Sequence, residues 1–238
     1  MALAVATYNV HRCIGADGRR DPQRVLAVLR ELDADVVALQ ELEWHPAAAL
    51  DLLEDFARAL GCAGVASPTL LAQTGHYGNA VLTRLPVRAV NRVDLSVPGR
   101  EPRGALDLRL DTPHGSLRVI ATHLGLAPAE RRSQVRRILG LLAPVRAEPV
   151  VLMGDLNEWF LWGRTLQWVR AHFGRAPAPA TFPARWPLFA LDRIWVEPRT
   201  LRRALATHAN ARARAASDHL PLRMTLVWPG VQSAPAAL

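Results

Sequence analysis

The sequence predicts an α/β domain whose sheet is at least partly antiparallel. Short runs rich in Val, Leu and Ile recur from one end of the chain to the other, at strand rather than helix length. Between them fall longer stretches with apolar residues at helical spacing. The turn-like segment Asp111 to Gly115 separates two alternating runs and reads as a hairpin, which argues against a purely doubly wound sheet.

Taken in order, the first strand is expected over Leu3 to Tyr8. Asp21 is a good N-cap and Pro22 suits the first helical position, so a helix runs to about Leu32 with Val25, Leu26, Leu29 and Leu32 as its apolar stripe. Val36 to Leu39 is the next strand, and a helix over Ala47 to Leu60 stops at Gly61. Ala80 to Thr83, Ala105 to Leu110 and Leu117 to Thr122 read as strands. A helix starting near Pro128 carries Val135, Ile138, Leu139 and Leu142 on one face. Val150 to Met153 is a strand, Trp162 to Phe173 a helix stopped by Gly174, and Leu191 to Val196 and Leu222 to Trp228 the last strands.

At 238 residues, half of them apolar and 21% charged, the chain can bury one substantial core. One domain is expected over residues 1–228, with the Ala/Pro-rich stretch 229–238 as a loose tail. The net charge of +8 favours polyanionic partners. All 29 basic residues are Arg, however, as a compositional bias acting on every surface position would produce, so the charge speaks only weakly for nucleic acid. Cys13 and Cys62 are too few and too far apart for a disulfide framework or a zinc knuckle. Neither a leader nor a transmembrane segment is evident, and a soluble, cytoplasmic monomer is expected.

The informative pattern is that one apolar run after another ends in a carboxylate, carboxamide or imidazole. The first run leads to Asn9, the second to Gln40 and Glu41, the Leu117 run to His123, and the Val150 run to Asp155 and Asn157. Leu188 to Leu191 delivers Asp192, and Asp218 and His219 precede the last strand. Singly, each such residue is ordinary, because Asn and Asp cap helices and close turns. Gathered on one rim, four carboxylates would repel one another unless a cation sat among them. Oxygen ligands without a cysteine cluster favour a hard ion, Mg²⁺ or alternatively Mn²⁺, over zinc.

These segments resemble the endonuclease/exonuclease/phosphatase superfamily. The matching stretches are Thr7-Tyr8-Asn9-Val10, Leu39-Gln40-Glu41, Tyr77 to Arg84, Ala121-Thr122-His123-Leu124, Gly154-Asp155-Leu156-Asn157-Glu158, Leu191-Asp192-Arg193-Ile194 and Ser217-Asp218-His219-Leu220-Pro221, in the family's order. The resemblance implies a four-layer α/β sandwich, two mixed β-sheets packed face to face with helices on both outer sides. It also implies roles. Glu41 is the principal metal carboxylate, with Asn9 beside it and Asp218 near the ion. Asp155 orients or deprotonates the attacking water and is preferred over His219 as the base. Asn157 holds a phosphate oxygen, His219 is oriented by Asp192 towards the scissile phosphate, and His123 completes the oxyanion contacts. Tyr77 and Asn79 are substrate-side residues. Abasic-site nucleases of the family place an acid or amide where this chain has His11, and the opening Tyr8 to His11 looks more like small bacterial members, some similar to sphingomyelinases.

The expected activity is Mg²⁺-dependent hydrolysis of a phosphodiester, with a lipid head group or small phosphodiester as substrate. The alternative is a nuclease acting on DNA or RNA, disfavoured because no long basic insertion is available to track a duplex. Arg103 could reach a phosphate or pair with Glu101. Arg131, Arg132, Arg136 and Arg137 read as a solvated basic face. The aromatics Trp159, Phe160 and Trp162 could touch lipid or bases but are expected to start a helix packed on the core, and Phe182, Trp186 and Phe189 to form a packed loop that positions Asp192.

Overall fold

The computed structural model describes residues 2–44, 51–72, 75–142 and 148–228. The expected tail at 229–238 and the first residues of the helix expected from Ala47 lie outside them. The elements run β1 (Ala2–Asn9), α1 (Pro22–Leu32), β2 (Val36–Trp44), α2 (Leu52–Leu60), β3 (Ala63–Ala72), β4 (Gly75–Thr83), β5 (Val87–Asp94), β6 (Gly104–Thr112) and β7 (Gly115–His123). Then follow α3 (Pro128–Leu142), β8 (Val150–Asp155), α4 (Arg164–Phe173), β9 (Asp192–Glu197), β10 (Arg202–Thr207), α5 (Ala211–Ala216) and β11 (Leu222–Val227).

The strands form two mixed sheets, one ordered β10-β11-β1-β2-β4-β3 and the other β5-β6-β7-β8-β9. Each sheet has a parallel pair at its centre, β1 with β2 and β7 with β8, flanked by antiparallel neighbours. Alternation along β1 shows how the layers stack. Leu3 and Val5 point into a core shared with Leu106, Leu108, Val119, Val151 and Ile194 of the other sheet, while Ala4, Ala6 and Tyr8 face a second core with α1 and α2. On the far side, Ile120 and Leu152 pack under Ile138 of α3 and Val169 of α4. Helix, sheet, sheet, helix is thus the order of layers, the four-layer sandwich that the resemblance implied.

Local signals act as expected where they are strong. The Asp21 carboxylate accepts from the backbone N–H of Gln23 and Arg24 to start α1, and Asp51 does the same for α2 through Leu53 and Glu54. The β6–β7 hairpin closes between Thr112 and Gly115, whose φ of 103° needs glycine. Edge elements were not foreseen. β5 and β10 are edge strands with largely exposed side chains, and β3 contains Pro68 at a shift in its pairing, so none has a clean apolar alternation.

Three expectations are corrected. Helix α4 starts at Arg164 rather than Trp162, and Trp159, Phe160, Leu161 and Trp162 are exposed in the preceding loop instead of packed on the core. Trp186, Leu188 and Phe189 are also exposed, at the end of a small hairpin closed by the Phe182–Phe189 bridge. Arg131 leaves the expected solvated face, being buried against Glu158, whereas Arg136 and Arg137 are exposed.

Candidate functional site

The polar strand ends meet at one edge of the sandwich. His123, Asp155 and Asp192 stand in register on β7, β8 and β9, with Asp155 paired to both neighbours. From the other sheet, Asn9 ends β1 beside Gln40, and the loop carrying Asp218 and His219 leads into β11 next to it. Asn9 crosses between the sheets, its Nδ2 donating to Glu41 Oε1 at 3.0 Å and to Asp155 Oδ2 at 3.1 Å.

Asp155 is the hub. Its Oδ1 accepts the backbone N–H of Asn157 at 2.9 Å. Its Oδ2, besides taking the Asn9 amide, lies 3.6 Å from His123 Nε2 and 3.7 Å from His219 Nε2. The close approach of β8 to β7 that brings these groups together depends on Gly154, at φ 148°, where a Cβ would fall 1.9 Å from the Thr122 carbonyl oxygen.

The two imidazoles are driven in opposite directions. Burial disfavours charge on the His219 ring, but Asp192, whose Oδ2 is 2.8 Å from Nδ1, together with Asp155 and Asp218 overcomes it and pushes its pKa up to about 10. His219 is therefore an imidazolium at neutral pH. Burial of His123 dominates its attraction to Asp155, and the nearby Arg103 and His219 push the same way, taking its pKa down to about 3. Two donors converge on that neutral ring, Asn157 Nδ2 at 3.0 Å from Nε2 and Arg103 Nη1 at 3.3 Å from Nδ1. A neutral imidazole offers one acceptor, so one of these donors has hydrogen-bonding capacity to spare.

Backbone strain marks the same place. Glu41 has φ 56° and sits where the β2–β4 register shifts between Leu39 and Leu42, a bulge that turns its half-buried carboxylate to Asn9. Asn157 has φ 49°, and its side chain is fixed by a second bond to the Leu124 carbonyl at 2.9 Å.

The other expected residues lie around this centre. Arg103 is buried, forms its ion pair with Glu101 at 3.1 Å and still reaches His123. Tyr77 is half-buried under the Arg12 guanidinium, and burial, then Glu41 and Glu101, raise its hydroxyl above the usual range. Asn79 is buried, with its amide donating to the Gly104 carbonyl at 3.0 Å, which ties β4 to β6. Asp218 lies 3.6 Å from His11 Nδ1 and accepts from Ser217 Oγ at 3.4 Å.

Sequence reasoning missed several supports. His11 entered only as a departure from the abasic-site pattern, yet its backbone N–H holds Asn9 Oδ1 at 3.0 Å. Thr181 Oγ1 accepts from the Asp192 backbone N–H, and the Phe182 ring lies 4.9 Å from that of His219. Residue types alone carry no signal for such second contacts.

Ligand atoms of Asp155, Asp192 and His219 all lie within 4.8 Å of one another. Among these, however, His219 Nδ1 is already engaged by Asp192 Oδ2 at 2.8 Å. Glu41, joined to Asp155 through Asn9, supplies a half-buried carboxylate instead. The donor set there is oxygen-rich and lacks thiolate, which fits a hard divalent ion.

The chain is similar to known proteins over nearly its whole length. It is 34% identical to YbhP of Escherichia coli (strain K12), an uncharacterized protein, over 93% of this chain and 94% of that one. An endonuclease/exonuclease/phosphatase from Beutenbergia cavernae superposes with a TM-score of 0.75 at 24% identity, over 98% of this chain and 73% of that one. The mannosyl-6-phosphatase Bt3783 of Bacteroides thetaiotaomicron superposes with a TM-score of 0.74 at 19% identity, over 95% of this chain and all of that one. Residues 6–219 match the Endonuclease/Exonuclease/phosphatase family. The chain therefore belongs to that family of phosphoester hydrolases, which generally use divalent metals.

Proposed function

We propose that this protein is a Mg²⁺-dependent phosphodiesterase that uses water to cleave a lipid head group or small phosphodiester, with residues 1–228 acting as one domain. The observation that carries this reading is the convergence of Asn9, His123 and His219 on Asp155 Oδ2, at 3.1, 3.6 and 3.7 Å.

A phosphodiester is anionic and repels an incoming oxygen, so charge must be neutralised before bond formation. His219, held protonated by Asp192, places a positive donor at the phosphate and stabilises charge that grows in the transition state. Asp155 Oδ2 accepts the proton of the attacking water, and Asn9 keeps that oxygen oriented. Asn157 and the neutral His123 hold a non-bridging oxygen, with Arg103 behind the ring. Tyr77 is on the substrate side, and the buried Asn79 supports it from behind by tying β4 to β6. Mg²⁺, or Mn²⁺ in its place, would be held by Glu41, Asn9 and Asp218, and when bound it supplies charge neutralisation that such sites turn into several kcal/mol of rate enhancement.

The test is a panel of bis-p-nitrophenyl phosphate, sphingomyelin, phosphatidylglycerol, plasmid DNA and abasic-site DNA, each with Mg²⁺, Mn²⁺ or EDTA. Lipid or small-diester turnover that EDTA abolishes and that Asp155→Ala and His219→Ala both lose is expected. Cleavage of DNA alone would replace the substrate class. Full activity in EDTA would remove the metal.

A further inference from the structure

Three loops rise beside the site, one after β7, one after β8 and one before β9, the three strands whose ends carry His123, Asp155 and Asp192. Each displays large apolar side chains to solvent. Leu126 is 65% exposed in the first loop and Trp162 72% in the second, beside Phe160 and Leu161, while Trp186 and Leu188 reach 71% and 74% in the hairpin of the third. Isolated exposed apolar residues are ordinary; a set on adjoining loops beside one polar site marks an interaction surface.

The loops are built to hold these side chains outward. The Arg131 guanidinium donates to the carbonyls of Gly125 and Leu126 and reaches Glu158 Oε1 at 3.4 Å, tying the first loop to the second. Trp159 packs edge-on against Phe182 at 5.6 Å and Phe189 at 4.9 Å, tying the second to the third. Phe182 in turn lies on the His219 ring. The ridge is thus continuous with the cluster around His219.

Charge on this stretch has one sign. Between Glu158 and Asp192 the chain carries Arg164, Arg170, Arg175 and Arg185 and not one carboxylate. Arg164, Arg175 and Arg185 are exposed. An open groove beside the ridge is lined by Leu161 and Trp162, by Arg170 of α4, and by Arg175 and Arg199 beyond it. Aromatic and aliphatic side chains beside guanidinium groups complement an acyl layer under anionic head groups. Stacking on nucleic acid bases would use Trp and Phe but gives no role to Leu126, Leu161 and Leu188.

We propose that these loops dock the protein on an anionic phospholipid bilayer, with Phe160, Leu161, Trp162, Trp186 and Leu188 entering the interface and the arginines facing the head groups, so that the polar site is held next to the lipid surface. This rests on the phosphodiesterase reading for the purpose of docking, and not for the docking itself.

The experiment is co-sedimentation of the full chain with vesicles of phosphatidylcholine alone and of two parts phosphatidylcholine to one part phosphatidylglycerol. Turnover of bis-p-nitrophenyl phosphate is measured in parallel. Binding to the anionic vesicles is expected, weaker by about tenfold or more in Phe160→Ser/Trp162→Ser and in Trp186→Ser/Leu188→Ser, as loss of two buried apolar side chains requires. Both variants should melt like the wild type and keep its turnover of the soluble diester. Wild-type protein that ignores anionic vesicles, or variants that bind them undiminished, would overturn the proposal. So would variants that lose binding to a single-stranded oligonucleotide while keeping vesicles. Vesicle binding that the variants lose, in a protein that cleaves no phosphodiester, would remove the phosphodiesterase reading and leave the docking surface standing.

Discussion

His219 Nδ1 lies 2.8 Å from Asp192 Oδ2, and both groups are buried where the two sheets meet. The pair fixes which ring nitrogen faces Asp155 and keeps the ring charged. Asp192→Asn removes that charge partner while preserving shape. A fall in kcat/KM of about 10²-fold or more on a soluble phosphodiester is expected, the usual scale for loss of a donor that stabilises transition-state charge. Unchanged kcat/KM would show that Asp192 does not serve the chemistry.

Glu41 is turned to Asn9 by a bulge at positive φ. Glu41→Gln keeps the hydrogen-bond shape and removes the charge. The Mg²⁺ concentration for half-maximal activity should rise by about tenfold or more, the scale at which even the outer partners of metal ligands act. A metal titration checks it, and an unaltered midpoint would move the ion away from Glu41.

In EDTA, the two histidines set a stability optimum. His123, whose folded pKa of about 3 lies below the unfolded value of about 6.5, costs nothing above pH 6.5, and stability declines as pH falls below it. His219, raised to about 10, contributes stability in full below about pH 6.5 and loses it as pH rises towards 10. Urea midpoints of the metal-free protein should therefore peak near pH 6.5, with limbs approaching about 1.4 kcal/mol per pH unit. His123→Asn should flatten the limb between pH 6.5 and 5 without touching the alkaline one.

Cys13 is buried, and burial pushes its thiol up to about 12, with Glu43 adding and Arg20 opposing. At pH 8 a disulfide exchange reagent should label the half-buried Cys62 slowly and leave Cys13 untouched until denaturant is added. Rapid titration of both thiols in the native protein would contradict the packing of the turn His11–Cys13.

Leu108 is fully buried between the two sheets. Leu108→Ala should destabilise by about 2–5 kcal/mol, through lost transfer energy plus the cavity left behind. Denaturant melts at constant slope check it, and a loss under 1 kcal/mol would mean that the interface collapses around the gap.

Residue type and order along the chain sufficed to pick out the polar groups that converge at one edge of the sandwich. Asn9, Glu41, Asp155, Asn157, Asp192, Asp218 and His219 could be picked out because each ends or precedes an apolar run, and strands of a sandwich deliver their ends to one edge. The central strands and capped helices were legible for the same local reason. The edge strands β3, β5 and β10 were not, because a strand whose side chains are largely exposed on both faces, or one broken by Pro68, lacks the alternation that identifies it. Tertiary structure alone decided the opposite charge states of His123 and His219, since each depends on what is buried beside the ring. It also decided that Phe160, Trp162, Trp186 and Leu188 face solvent. An aromatic run has the same composition under a core as on a rim, and only the packing of the other layers determines which it becomes.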